Sequence, residues 1–462
     1  MSESNPMTAG KRRLPPAIWN LTLFIVLLSL AAAVYLPGLH STFMLDDLPN
    51  LQPLEWIDDG DSEGFWNYVL TGNSGPTGRP LSLLSFALQK DAWPNDPQAV
   101  KTVNLAAHLA TALLLYWFII LLARATRTGW PHFFALIVAG TWLVLPIHVN
   151  TVLYAVQRMT LLAAFFSLLG VAGYLAIRER SGARAMDGIL ALLWLFLCTV
   201  LSTLSKETGL LTLPLAALVE LVISMTTRPP RGWRQLVWRA HGLVLFAALA
   251  GFVVKFQSLV LAGYQGRPFS LSERVLTESR ALVDYTLQIL VPSRFDLSLF
   301  HDDYPLISTF TGALPYLAII FGAVLTAALL RKRIPLYSFG IAWFLIGHAL
   351  ESTVFPLEIY FEHRNYLPSI GLLIAVAALL QFAVARFAPK VRMAATGALF
   401  GVIVVIYLAV SASIVTLWNR PLEQSYIWAL ARPDSIRAQL LLISNAIMLQ
   451  QYDLARLALD DT

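Results

Sequence analysis

The sequence contains few charged residues. Asp, Glu, Lys and Arg together make up 13% of its 462 residues, whereas they make up about 25% of an average soluble domain. Hydrophobic residues make up 57%, and the mean hydropathy is +0.64. This composition excludes an ordinary soluble domain and predicts an all-α polytopic membrane protein. The 13 Trp and 15 Tyr residues fit that class, because amphipathic rings collect at the two membrane interfaces.

Cysteine is almost absent. Cys198 is the only one, so the chain cannot form an intrachain disulfide. It lies in an apolar run, and we expect it to be a small core residue.

Acidic residues are fewer than basic ones, so the net charge is +5 and the pI is about 9.3. In a membrane protein the excess Lys and Arg set the topology, so no nucleic-acid partner is expected.

Long apolar runs are frequent, and their lengths suit membrane spans. The first run follows Lys11, Arg12 and Arg13, and no small-residue cleavage pattern comes clearly after it. We therefore expect this run to be a transmembrane helix and not a removed signal peptide. Hydropathy predicts eleven spans, at residues 17–37, 102–123, 131–147, 152–177, 188–204, 208–226, 238–261, 310–330, 335–352, 366–387 and 393–417.

The charges of the loops predict the orientation. With a cytoplasmic N-terminal tail at 1–16, alternation places every short cationic loop on the cytoplasmic side. The acidic stretch at 55–64, the outer loops 38–101 and 262–309 and the C-terminus then lie outside. For a protein of a bacterial inner membrane, these outer parts would be periplasmic. The cationic loops are ARATR (123–127), RERSGAR (178–184), RPPRGWRQLVWR (228–239), RKR (331–333) and APKVR (388–392).

Two segments outside the spans also show helical spacing. The loop at 262–309 predicts an amphipathic helix on the outer membrane face, with a short re-entrant piece as the alternative. After the last span, residues 419–462 place Pro433 and several alanines in the spacing of one tetratricopeptide repeat. One repeat cannot bury its own apolar face. We therefore expect this helical pair to pack on the membrane domain at 17–418, to pair with another chain, or to begin a longer array.

Polar residues recur at the outer ends of the spans. Burying charge there is costly unless the charge is paired or functional. An interfacial anchor or an ion pair between helices explains each residue alone, but the recurrence of all of them on one side favours a shared site. The set comprises Asp46, Asp47, Arg79, His148, Asn150, Gln157, Arg158, Lys206, Glu207, Glu358, Glu362, His363, Arg364 and Asn365.

This combination of cations and carboxylates suits a lipid-linked phosphate at the outer interface. Arg binds phosphate through two parallel donors, and Lys binds it as a point charge. A carboxylate would act as a general base on a hydroxyl that attacks a sugar, or would hold a divalent cation on the phosphate. In an extended segment, neighbouring side chains point apart. We therefore expect one of Asp46 and Asp47 to face the substrate and the other to pair with a cation or cap a helix. If a metal binds, these two residues are its candidate ligands.

Several motifs, taken in order along the chain, resemble a known family. They are LDDLPNL (45–51), GRPLSLLSFAL (78–88), KTVNLAAHLATALL (101–114), LPIHVNTVLYAVQRMTLLAAFF (145–166), LSKETGLLTLP (204–214) and FEHRNYLPSIG (361–371). This order is similar to that of the transmembrane and tetratricopeptide-containing O-mannosyltransferases, a family of the GT-C glycosyltransferase superfamily. The resemblance covers most of the chain.

The resemblance implies a GT-C fold of about 11 transmembrane helices, with outer-face amphipathic helices and a C-terminal tetratricopeptide-like pair. It implies transfer of a sugar, with inversion, from a polyprenyl-phosphate donor at the outer face. The catalytic carboxylate of the family maps onto Asp46 or Asp47. His148, Asn150, Gln157, Glu207, Glu358 and Asn365 would be supporting polar residues. The positions that would bind the donor phosphate are Arg79, Arg158, Lys206, His363 and Arg364.

The chain departs from the family in two respects. It carries about one repeat where the family has a long array, and Asn150 stands where the family tends to have an acid, so mannose is not implied. The short form is more similar to bacterial relatives such as the type IV pilin arabinosyltransferases. We expect the acceptor to be a Ser or Thr of a surface or secreted protein, with pilin as one candidate. The alternatives are a glycolipid acceptor such as lipid A or O-antigen, and a lipid-sugar transporter without chemistry.

Overall fold

The computed structural model describes residues 16–180, 185–226, 260–294 and 297–460, together with a few single positions between 227 and 259. Helices make up 78% of the structure, and the described residues include no strand. These observations confirm an all-α protein. The N-terminal tail up to residue 15 and most of the span predicted at 238–261 lie outside the described residues.

The first half of the described chain consists of long apolar helices separated by short helical turns. Proline occupies the first turn of several of them, where its missing N–H group costs nothing, and aspartate side chains cap α3 and α5. The helices are α1 (Pro16–Tyr35), α2 (Asp47–Leu51), α3 (Ser62–Thr71), α4 (Pro80–Ala87), α5 (Pro97–Ala125), α6 (Pro131–Leu143), α7 (Val149–Leu153), α8 (Arg158–Arg180), α9 (Ala185–Ser205) and α10 (Thr212–Thr226).

The second half begins with the helix that the spacing in the 262–309 segment predicts. It starts at a capping box in which Ser270 and Glu273 bond each other's backbone N–H groups. The helices are α11 (Leu271–Leu290), α12 (Phe310–Leu330), α13 (Pro335–Gly347), α14 (Ser369–Ala383), α15 (Pro389–Trp418), α16 (Pro421–Ala431), α17 (Ile436–Met448) and α18 (Tyr452–Asp460).

The number of membrane spans is smaller in the described residues than the hydropathy predicts. Seven helical stretches are long and apolar enough to cross a membrane: six correspond to α1, α5, α8, α9, α12 and α15, and the seventh, Glu207–Thr226, joins a five-residue helical turn to α10. The pair α6 and α7, bent by 49°, would make an eighth span. The predicted spans at 335–352 and 366–387 contain helices of 13 and 15 residues, which rise only about 20 Å against a hydrocarbon core of about 30 Å. Eleven spans therefore remain a prediction.

The core forms where α5 and α8 pack against their neighbours. α5 contacts α6 and α8, α8 contacts α9, and α13 contacts α14. The last contact is close enough to require glycine, since a Cβ atom on Gly340 would lie 2.3 Å from the Gly371 carbonyl oxygen. Because α13 and α14 meet so closely, the segment 348–368 that connects them is held against the body of the protein. Cys198 is buried, as expected.

The C-terminal helices pack on the outer loop that follows α11. Ser435 donates a hydrogen bond of 2.5 Å to Asp302, and the Phe300 and Trp428 rings are 5.7 Å apart. Small residues, including Ala438 and Ala458, are buried where α16, α17 and α18 meet. The helical pair thus forms and packs on the membrane domain, one of the expected arrangements. Its assignment as a tetratricopeptide repeat remains a prediction.

Candidate active site

The two neighbouring aspartates of the first outer loop lie in different environments. Asp47 is fully buried, and its carboxylate accepts hydrogen bonds from the backbone N–H groups of Met44 (3.0 Å) and Val156 (2.7 Å). Asp46 is exposed; its backbone N–H group donates to the Tyr154 hydroxyl at 2.7 Å, and its carboxylate also interacts with that hydroxyl. The divergence arises at a helix start and not in an extended segment, since Asp46 has φ −67° and ψ −10°. Of the two carboxylates, Asp46 is the one open to a substrate.

A buried lysine lies near Asp47. Lys101 is fully buried and donates from Nζ to the Ser41 carbonyl (2.7 Å), the Ser41 hydroxyl (2.5 Å) and the Thr42 carbonyl (3.0 Å). The ammonium also lies 5.2 Å from the Trp418 ring centroid. Burial raises the pKa of the Asp47 carboxyl, while the Met44 amide and the Lys101 charge act in the opposite direction. Asp47 therefore behaves as a tether for this loop.

Arg158 lies in the same buried region and is occupied by the protein itself. Its Nε donates to the Asn104 side-chain oxygen at 2.9 Å, and its two terminal nitrogens donate to the carbonyls of Ser85 (2.9 Å) and Val100 (2.7 Å). The guanidinium also covers the Phe86 ring at 4.4 Å. Arg158 has no exposed surface. This placement favours a structural role over the phosphate contact that the sequence predicts.

Arg79 has the opposite character. It has a left-handed conformation (φ 50°) just before α4, and its side chain is 22% exposed. Its Nε and one terminal nitrogen bind the Glu207 carboxylate at distances down to 2.8 Å, and Thr77 donates to the same carboxylate at 2.9 Å. The other terminal nitrogen contacts only a weak acceptor, the Met159 sulfur, at 3.4 Å. Arg79 thus keeps donors for an anionic ligand.

Lys206 forms a second ion pair beside the first. Its Nζ lies 2.7 Å from a Glu351 carboxylate oxygen and donates to the Thr160 hydroxyl at 3.2 Å. Burial by itself would raise the pKa of the Glu351 carboxyl, but Lys206, Arg364 and His363 outweigh burial and lower that pKa from 4.5 to about 2. Glu351 is therefore ionised at neutral pH and balances the lysine.

The segment between α13 and α14 brings two further basic residues to this region. Arg364 donates to the carbonyls of Ile359 (2.8 Å) and Glu358 (2.6 Å), while its buried Nε has no hydrogen-bond partner. His363 is half-buried and stacks on Phe361, with ring centroids 5.1 Å apart. Burial and the Lys206 charge hold the pKa of His363 well below 6.5. His363 would therefore meet a phosphate as a neutral donor and not as a cation.

Glu362 is committed to an internal contact. Its carboxylate lies 2.6 Å from His301 Nε2 and accepts the Ser298 N–H group at 3.1 Å, and both side chains of the glutamate–histidine pair are almost fully buried. Asn365 donates to the Glu362 carbonyl at 3.3 Å. These bonds hold the outer loop before α12 against the 361–365 segment, so they support the site without reaching a substrate.

The Glu358 carbonyl accepts from Arg364, but the Glu358 carboxylate pairs with other arginines, one of them in the C-terminal helices. This carboxylate pairs with Arg267 at 3.5 Å and with Arg437 at 3.2 Å.

The other three supporting polar residues are buried and bonded within the protein. Their bonds join His148 to the Trp142 carbonyl (3.1 Å), Asn150 to the Trp418 ring nitrogen (3.0 Å) and Gln157 to the Thr160 hydroxyl (2.8 Å).

One short segment connects the aspartate pair to the ion pairs. Tyr154 and Val156 contact the backbone of Asp46 and the carboxylate of Asp47, whereas Met159 and Thr160 contact Arg79 and Lys206. The seven residues from Tyr154 to Thr160 therefore contact both groups: the exposed Asp46 and the buried Asp47, and the partly exposed Arg79 and the buried Lys206.

The aspartate pair does not provide a two-carboxylate metal site in this arrangement. Asp47 has no exposed surface and each of its oxygens accepts a backbone N–H group, so of the two carboxylates only Asp46 is accessible. Within the described ranges, no cluster of three or more His, Cys, Asp and Glu side chains is arranged to hold an ion. A divalent cation would have to rely on Asp46 and on oxygens of the substrate.

Some residues of the region were not selected from the sequence. Glu351 could not be selected with Lys206, because the two partners are distant in the chain. Lys101, Asn104 and His108 appear in a motif but were given no role. Their spacing of three and then four residues places them on one face of α5, and this polar stripe inside an apolar run is the signal that would have identified them.

Comparison with known proteins gives one informative similarity. The chain is 25% identical over 212 residues to the protein O-mannosyl-transferase F38B6.6 of Caenorhabditis elegans, and the match covers 44% of this chain. The chain spans 29% of the length of that relative. No protein-family profile and no solved structure matches the chain. The similarity supports a relationship to the glycosyltransferases.

Proposed function

We propose that the protein is a GT-C glycosyltransferase that transfers a sugar from a polyprenyl-phosphate donor to a Ser or Thr hydroxyl of a surface or secreted protein. The acceptor oxygen attacks the anomeric carbon as the carbon–oxygen bond to the phosphate breaks. The acceptor proton passes to a carboxylate, and polyprenyl phosphate leaves. Attack opposite the leaving group inverts the anomeric centre.

The observation that carries this proposal is an exposed carboxylate close to paired cations at the outer end of the helices. Asp46 is exposed, while Arg79 and Lys206 lie nearby in ion pairs that leave some of their donors free. A general base beside phosphate-binding cations is the minimum that this reaction needs, because phosphate is a good leaving group and requires no strong acid. The similarity to a protein named an O-mannosyl-transferase supports the same class of chemistry.

The residues divide into roles on this basis. Asp46 is the general base, because it has the accessible carboxylate. Arg79 and Lys206 stabilise the charge that develops on the phosphate, Arg364 adds its positive charge from a buried position, and His363 donates a neutral N–H bond. Glu207 and Glu351 hold the cations in place, so that they are oriented before the donor arrives.

The proposal includes a topology. The helix ends that carry these residues face the periplasm of a bacterial inner membrane, the N-terminus is cytoplasmic, and eleven spans complete the membrane domain. The alternating loop charges support this orientation. A reporter enzyme fused after the C-terminus should be active only outside the cytoplasm, and a cytoplasmic reporter signal would contradict both the span count and the proposed side.

A protein acceptor is the preferred alternative. Arg437 and Ser435 at the start of α17 bond Glu358 and Asp302, so the C-terminal helices lie beside the loop that continues to His363 and Arg364. A polypeptide bound by these helices would be delivered to the site. A type IV pilin is one candidate acceptor, and a glycolipid such as lipid A is the alternative.

A transporter of lipid-linked sugar would place its polar residues at midplane depth, whereas the polar residues of this site lie at helix ends.

The decisive experiment compares membranes with the wild-type chain, with no chain, and with Asp46→Asn. Mass spectrometry of surface proteins and of glycolipids should reveal a hexose- or pentose-sized addition on Ser or Thr peptides only with the wild type. A modification found on lipid A alone would reassign the acceptor. Sugar that crosses the membrane without any transfer, in wild type and variant alike, would replace the enzyme with a transporter.

A further inference from the structure

A polar stripe runs along one face of α5, inside an otherwise apolar helix. Lys101, Asn104 and His108 are each fully buried. Burying such groups is costly unless every donor and acceptor finds a partner. All three side chains do have partners, and these partners belong to the loops around the candidate site.

Lys101 holds the approach to the catalytic loop. Its ammonium bonds the Ser41 and Thr42 carbonyls, which lie between the end of α1 and Asp46. Asp47 then bonds the Met44 N–H group three residues farther on. The backbone is therefore held at Ser41 and Thr42 by Lys101 and at Met44 by Asp47, immediately before Leu45 and Asp46.

Asn104, one turn along α5, holds the second loop. Its side-chain N–H₂ group donates to the carbonyls of Val152 (3.2 Å) and Ala155 (3.2 Å), and its oxygen accepts from Arg158. These contacts bracket Tyr154, whose hydroxyl accepts the Asp46 N–H group. Asn104 thus positions the residue that holds the Asp46 backbone.

His108 reaches the third loop. Its Nε2 donates to the Leu143 carbonyl at 3.0 Å, which leaves Nδ1 to accept the Tyr366 hydroxyl proton at 2.8 Å. Tyr366 directly follows the segment that carries His363 and Arg364. The three residues of one helix face therefore contact three of the segments of the candidate site, those that carry Asp46, Arg158 and His363; the segments of Arg79 and Lys206 are held separately.

We infer that this stripe is a positioning element for the transfer reaction, and that Lys101 is the positioning residue for Asp46. The inference rests on the proposed function. Lys101 does not touch the substrate: it sets the direction of the Asp46 carboxylate by fixing the backbone of residues 41–44. Asn104 does the same from the opposite side of the loop, and His108 aligns the basic residues with it. A misplacement of about 1 Å at a reacting group costs on the order of 100-fold in rate.

The kinetic test uses Lys101→Met, which keeps the length of the side chain and removes its donors. The kcat for sugar transfer should fall by about 100-fold, while KM for the lipid-linked donor stays within about twofold. The donor KM is retained because Arg79 and Lys206 make no contact with Lys101. Lys90→Met is the matched control, since Lys90 pairs with the exposed Asp59 in the same outer region; its kcat should not change. Lys101→Arg keeps the charge and the donors and should recover part of the loss.

A second measurement does not depend on turnover. Cys198 is the only cysteine, so a Cys198→Ser background accepts a single new label. A nitroxide on Leu48→Cys, a position 51% exposed in α2, should become more mobile when Lys101→Met is added and should not respond to Lys90→Met. Asn104→Ala is the second variant, and is used with both readouts if Lys101→Met does not fold.

The outcomes separate the inference from the proposed function. Loss of kcat with retained donor KM and a more mobile label supports the positioning role. A kcat unchanged in Lys101→Met overturns it. So does a variant in which kcat and the melting temperature fall together, the donor KM rises, and the label mobility does not change. If the wild type transfers no sugar but the label responds, the proposed function fails and the positioning of the loop stands.

Discussion

The two charged groups of the candidate site use the same residue types in opposite ways. Around Asp47, the charges are fully buried, and Arg158 and Lys101 spend their donors on backbone and amide oxygens. Around Arg79, the charges are partly exposed and paired with carboxylates, and donors remain free. The comparison teaches that the chemical type of a side chain does not assign its role in this site. The role follows from the exposure of the side chain and from the identity of its bonding partner.

The sharpest test of this comparison is the aspartate pair. Asp46→Asn should lower kcat by about 1,000-fold and leave the melting temperature unchanged, because it removes only the accessible base. Asp47→Asn should instead lower the melting temperature, because one of its two backbone N–H partners loses a charged acceptor. Transfer assays and thermal unfolding of the purified variants measure both. Full transfer activity in Asp46→Asn would end the assignment of Asp46 as base.

The arginines provide the next test. Arg158→Ala should destabilise the protein by about 3 kcal/mol, because it leaves the Asn104 amide oxygen and the Ser85 and Val100 carbonyl oxygens buried without their donor. Arg79→Ala should change stability little and should weaken donor binding by about tenfold, the effect of one charge-assisted contact. Titration with the lipid-linked donor and thermal unfolding separate the two. Weaker donor binding in Arg158→Ala at full stability would return Arg158 to the phosphate site.

The Lys206–Glu351 pair predicts a dependence of stability on pH. The folded-state pKa of Glu351 is lowered from 4.5 to about 2, so its contribution is fully present above pH 4.5 and is lost as the pH falls toward 2. A shift of this size is worth about 3 kcal/mol. Glu351→Gln should flatten the pH dependence of the melting temperature in this window. An unchanged slope would show that the pair does not stabilise the fold.

The smallest expected effect concerns the contact between Arg437 and Glu358. Arg437 is about half-exposed, so Arg437→Ala should cost less than about 1 kcal/mol. Because the pair lies outside both charged groups, neither donor affinity nor kcat should change. A large loss of transfer to protein with normal donor binding would instead indicate that the C-terminal helices present the acceptor.

The sequence predicted the class of fold and the residue types of the site better than the details of either. The periodicity at 271–290 and the alanines of the C-terminal pair correspond to helices that form. The helices at 335–347 and 369–383 are shorter than the hydropathy suggests, because the first ends where His348, Glu351 and Ser352 interrupt the apolar run, and the second begins only after the apolar residues 366–368. Arg158 was grouped with Arg79 because both follow outer loops. Only their contacts distinguish them.

By itself, the sequence determined that this is a helical membrane protein and that its charges collect near helix ends, because composition and spacing are local properties of a chain. Only the tertiary structure decided which charges remain available. Asp46 and Asp47 are neighbours in LDDLPNL, yet Val156, more than 100 residues away, takes one carboxylate and leaves the other exposed. Such a choice depends on contacts between distant segments, and no local pattern encodes it.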